Sequence, residues 1–114
     1  MSYSVHLYPR AFEKKFKAAN DPGFLEDEAN LIPFAAADTE HLVEQLALRG
    51  FVEGKKRKEG RTFQNEDWGA SALLTASGLY LSASGDGTFE ILMFGDEVAS
   101  AKIAKFDPQE ETWA

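Results

Sequence analysis

The chain has 114 residues and no cysteine, and 44% of its residues are hydrophobic, with nine Phe, three Tyr and two Trp. That suffices for a single folded domain over residues 1–114, argues against disorder, and removes disulfide frameworks, thiolate metal sites and cysteine nucleophiles. The net charge is −7 and no apolar stretch reaches the roughly 20 residues of a membrane span, so the expectation is a soluble, cytoplasmic protein with no membrane partner.

Ser2 to Tyr8 alternates, with Tyr3, Val5 and Leu7 on one side and Ser4, His6 and Tyr8 on the other, which reads as a half-buried strand. Pro9 suits the first turn of a helix, and Phe12, Phe16 and Ala19 follow at helical spacing up to a stop at Asn20-Asp21-Pro22-Gly23. Gly23 to Ala37 reads as a long loop with one helical turn, pinned by Phe24, Leu31 and Phe34. Asp38 can cap a helix over Thr39 to Arg49 that buries Leu42, Val43, Leu46 and Ala47. Gly50 at C′ and Phe51 at C″ give it a Schellman stop.

Phe51–Arg57 and Arg61–Glu66 form a charged edge hairpin turning at Lys58-Glu59-Gly60. Ala70 to Phe94 reads as two further hairpins. The first turns at Ser77-Gly78 and pairs Leu74 with Leu81 and Ala72 with Ala83. The second turns at Gly85-Asp86-Gly87, with Gly87 left-handed, and pairs Ala83 with Phe89, Leu81 with Ile91 and Leu79 with Met93. A helix from Asp96 to Phe106 follows, with a last strand as the alternative, and then an acidic tail carrying Trp113. The class is α+β: a twisted antiparallel sheet of consecutive hairpins with two or three helices packed on one face.

No catalytic, cofactor or metal motif stands out. His6 and His41 are the two histidines and nothing in the sequence brings them together, while Ser84-Gly-Asp-Gly-Thr88 lacks the ligands of a phosphate or calcium loop. Seven acids and no base lie between Asp21 and Glu44, and the apolar Tyr80, Leu92 and Phe94 interrupt an otherwise polar strand face. The expected function is therefore a non-enzymatic protein-binding module, such as an inhibitor or immunity-type protein capturing a basic partner, with Glu26, Asp27, Glu28, Tyr80, Leu92 and Phe94 as its surface. The alternative is RNA or single-stranded nucleic acid on Lys55, Lys56, Arg57, Lys58 and Arg61, with Phe63 or Trp68 stacking on a base. A small enzyme ranks below both.

Overall fold

A computed structural model describes residues 2–21, 23–24 and 27–114. In chain order the elements are β1 (Ser2–Pro9), α1 (Arg10–Ala19), a 3-10 turn (Glu28–Asn30), α2 (Ala36–Leu48), β2 (Val52–Lys56), β3 (Arg61–Asn65), β4 (Ala70–Leu74), β5 (Leu79–Ser84), α3 (Gly87–Val98), β6 (Ile103–Asp107) and β7 (Thr112–Trp113). The strands form one antiparallel sheet in the order β2-β3-β4-β5-β1-β6-β7. The fold is thus the expected α+β domain, with β1 inserted between β5 and β6.

Alternation along β1 turns Val5 and Leu7 to one face of the sheet and His6 and Tyr8 to the other. On the first face Val5 and Leu7 join Ala72, Leu74, Leu79, Leu81 and Phe63 beneath Leu42 and Leu46 of α2 and Ile91, Phe94 and Val98 of α3. The second face carries a smaller aromatic core, in which Tyr8 and Phe106 meet Phe12 of α1 and Phe24, with Phe16 and Trp113 packed against them. Two helices share one face, as expected, and α1 lies on the other. Each fully buried large apolar side chain contributes roughly 1.5–3 kcal/mol, so the α3 face holds most of the stabilisation.

The charged edge hairpin forms as read, with β2 at the sheet's edge. The β4–β5 hairpin keeps the expected faces but shifts by two residues, pairing Leu74 with Leu79 and Ala72 with Leu81. Thr75 causes the shift. Its Oγ1 accepts from the amides of Ser77 (3.2 Å) and Gly78 (3.0 Å), and its own amide donates to the Gly78 carbonyl at 2.8 Å, so the tip is Ala76-Ser77 rather than Ser77-Gly78. An even shift leaves the inward set unchanged.

The second hairpin is not formed. Gly87–Val98 is the helix α3, and Phe89 and Met93, expected in the core opposite Ala83 and Leu79, are exposed. Gly87, Ile91, Phe94 and Val98 are buried at spacings of four, three and four, the stripe of a helix. The left-handed residue is Gly85 (φ 61°). Gly87 is small because a Cβ there would lie 1.8 Å from the Trp68 carbonyl oxygen. The expected helix to Phe106 is likewise corrected: Ile103–Asp107 is strand β6, the alternative reading.

The C-terminal segment is tied to the start of α1. Arg10 donates to the carbonyls of Ser100, Ile103 and Ala114 and to Glu13. Asn20 ends α1 in the left-handed conformation, and Pro22 of the expected stop lies outside the described residues. Ala19, expected in the buried stripe, is exposed. Helix α2 begins at Ala36, so Asp38 sits inside its first turn and is not its cap. Its C-terminus follows the Schellman pattern: the Phe51 amide donates to the Leu46 carbonyl (3.0 Å), the Gly50 amide to that of Ala47 (3.1 Å), and Gly50 has φ 92°. Among the described residues no helix is long and apolar enough to cross a membrane.

Candidate functional site

Helix α1 has ten residues and docks through Phe12 and Phe16 onto Tyr8, Phe106 and Trp113. It therefore covers only the β1, β6 and β7 end of its face. The rest of that face stays open, as a concavity of about 310 Å³ over β3, β4, β5 and β1. Outward alternation supplies its floor: Thr62 and Gln64 from β3, Ser71 and Leu73 from β4, Tyr80 and Ser82 from β5, and Ser4 and His6 from β1. Arg57, from the turn of the edge hairpin, forms one wall.

The floor combines hydroxyls with an aromatic corner. Ser71 and Ser82 face each other with their Oγ atoms 3.2 Å apart. His6 stands edge-on to Tyr80 at 4.8 Å between ring centroids, and its Nδ1 lies 3.1 Å from the Tyr8 hydroxyl. Burial pushes His6 down to about 4, against a weaker upward pull from Asp107, so the ring is neutral at pH 7. Burial also raises the Tyr80 and Tyr8 phenols, which stay protonated. The corner thus presents neutral donors and acceptors, and Arg57 carries the charge.

The residues expected to form a protein-binding surface are not brought together. Tyr80 is half-buried in the aromatic corner, whereas Leu92 packs against the core of the opposite face and Phe94, only 2% exposed, belongs to it. Glu26 lies outside the described residues, and Glu28 opens the 3-10 turn. Asp27 is exposed, and its carboxylate accepts from the Ala29 amide at 3.0 Å. The acidic block is also split, with Asp21 and Asp27 flanking the segment of Phe24 on the α1 face and Glu40 and Glu44 on α2 over the other.

The basic set divides as well. Lys55, Lys56, Arg57 and Lys58 are exposed, whereas Arg61 forks onto Glu53 (2.8 and 2.6 Å) and lies over the Phe63 ring. Phe63 is buried, and Trp68 is half-buried edge-on to Phe51, so neither is a free platform for a base. His41 is exposed on α2, apart from His6, and no group of three or more potential metal ligands occurs among the described residues.

Sequence reasoning missed one surface. Phe89 and Met93, 65% and 44% exposed, lie one turn apart on the outer side of α3. At 100° per residue Asp86, Glu90, Asp96 and Glu97 fall on the same side. Asp96 pairs with Lys105 at 2.5 Å and Glu97 with Arg49, while Asp86 and Glu90 have no ion-pair partner among the described residues. The signal was present in the sequence as an i, i+4 apolar pair, legible once the segment is read with a helical period.

Fold and surfaces together define an α+β domain with one open sheet face and one acid-rimmed apolar helix face. Comparison with protein-family models, with curated proteins and with solved structures finds no match.

Proposed function

We propose that the chain is a non-enzymatic protein-binding module that captures a basic segment of a partner on the outer side of α3. The observation that carries this reading is the exposure of Phe89 and Met93 within a rim of carboxylates. An exposed aromatic supplies anchoring contact area, the adjacent thioether adapts to the partner's shape, and acids around them steer a basic partner and disfavour an acidic one. The partner class is the one the sequence suggests; the surface shifts from Tyr80, Leu92 and Phe94 to Phe89 and Met93.

The test is quantitative capture from native cells by the tagged chain and by Phe89→Ser and Met93→Ser variants, with each captured protein then purified and its binding measured. The reading expects a partner with a basic surface, weakened on the order of tenfold or more by Phe89→Ser. Its association rate should fall when Asp86 and Glu90 are reversed to Lys. A partner held equally well by all variants would overturn it.

A further inference from the structure

We infer that the open half of the α1 face is a seat for single-stranded nucleic acid, with one nucleotide in the concavity beneath Arg57. A different surface carries this inference, on the side of the sheet opposite α3, and both can be occupied at once.

Charge is the first argument. The chain has 19 acids against 12 bases, yet none of the described residues lining this concavity is a carboxylate. Arg57 is in no ion pair among the described residues, and neither are Lys55, Lys56 and Lys58 on the same hairpin. Glu53 instead holds Arg61. Four of the seven bases that are in no ion pair among the described residues thus lie together on the hairpin that forms the groove's wall, which suits a phosphate.

Shape and chemistry supply the second argument. Leu73 and Tyr80 are cross-strand partners on the floor, both half-buried, and offer the apolar surface on which a base would rest. Around it the Ser4, Ser71 and Ser82 hydroxyls and the Gln64 amide can donate and accept, as sugar hydroxyls and base edges require. A volume of about 310 Å³ suits one nucleotide. A second concavity of about 470 Å³ shares Gln64, Ser71 and Ser82 with the first and continues along β4 and β5 to Ser84 and Ser2. The groove therefore continues past the first unit, as a strand needs. Glu66 lines that far end, so the phosphate-binding end is the one at Arg57.

The test is a titration of the full chain into a fluorescein-labelled oligouridylate, followed by anisotropy, at salt between about 50 and 200 mM. Binding should weaken with salt, and excess uridine monophosphate should compete. Arg57→Gln should weaken it on the order of tenfold and flatten the logarithmic salt slope by about 0.7. Gln64→Glu, an isosteric change at an exposed position, should weaken it roughly fivefold by placing a carboxylate in the groove. Both variants should melt as the parent does. Three results would each overturn the inference: no binding at the lowest salt, equal binding of a duplex, or loss on Lys55→Gln/Lys58→Gln with no response to Arg57→Gln and Gln64→Glu. The last would mean attraction to the hairpin alone.

Discussion

The side-chain amide of Gln109 occupies the place of a missing strand residue beside Ser4. The β1–β6 register, which pairs His6 with Phe106, would set Ser4 opposite Pro108, a residue with no amide hydrogen to give. Gln109 Oε1 accepts from the Ser4 amide at 2.6 Å and its Nε2 donates to the Ser4 carbonyl at 2.8 Å, which continues the ladder with a side chain. Gln109→Ala should therefore loosen the start of β1. Water can reach these groups, so the loss should be modest, about 1 kcal/mol, read as a lower urea midpoint with an unchanged slope.

Gly87 and Gly85 stand two residues apart for different reasons, and their Ala variants should separate the two. At Gly85 a Cβ has open space but φ is 61°, so Gly85→Ala should cost about 1 kcal/mol of backbone strain. At Gly87 the backbone is unstrained, but the Cβ would sit within 1.8 Å of the Trp68 carbonyl oxygen, a backbone atom that cannot swing aside. Gly87→Ala should cost more, about 3 kcal/mol, because the start of α3 must lift from the turn that it packs beneath. Equal midpoints for the two variants would contradict this account.

What was legible in the sequence is what local pattern determines. Period-2 alternation placed Val5 and Leu7 against His6 and Tyr8, and Gly50-Phe51 marked the end of α2, because both signals lie within a few residues. The segment from Phe89 to Phe94 was misread because Phe89, Ile91 and Met93 satisfy a period of two while Gly87, Ile91, Phe94 and Val98 satisfy a helical one. Only the docking of α3 on the sheet chooses between them. The open groove was illegible for a further reason. Its floor sets Ser4 and His6 beside Tyr80 and Ser82, residues more than seventy positions apart, through the non-local insertion of β1 next to β5.

Asn65 and Gly50 together close the C-terminus of α2. Asn65, buried in β3, donates from Nδ2 to the Arg49 carbonyl (2.9 Å) and accepts the Trp68 amide on Oδ1 (3.1 Å). Gly50→Ala should cost about 1 kcal/mol through its positive φ. Asn65→Ala, which strands a carbonyl and an amide, should cost about 2 kcal/mol. A Cβ on Gly50 would lie 3.7 Å from Asn65 Nδ2, so the two sites share one structure, and the double variant should lose less than the sum. Strict additivity in a double-mutant cycle would show that Asn65 does not hold the cap.

Acid should destabilise the fold in two windows. His6 is pushed down to about 4 by burial, so between its ordinary value of 6.5 and about 4 the unfolded chain binds a proton that the folded chain refuses. Stability then falls as pH falls through that range, by about 2 kcal/mol with allowance for the ring's partial exposure. Below about 4 the carboxylates take over. Burial pushes Asp107 and Glu13 up. Hydrogen bonds from Tyr3 and Gln109 to Asp107, and from Arg10 and Lys17 to Glu13, outweigh that and hold both groups below their ordinary values. Their contribution is present at neutral pH and is lost as pH falls through the lowered values. Urea midpoints measured from pH 7 downwards should therefore begin to decline in the His6 range, before the contributions of Asp107 and Glu13 are lost. His6→Gln should remove the upper decline and leave the lower one, whereas Asp107→Asn should shrink the lower one and, by removing the carboxylate's upward pull on His6, slightly deepen the upper one. An unchanged upper decline in His6→Gln would assign it to another group.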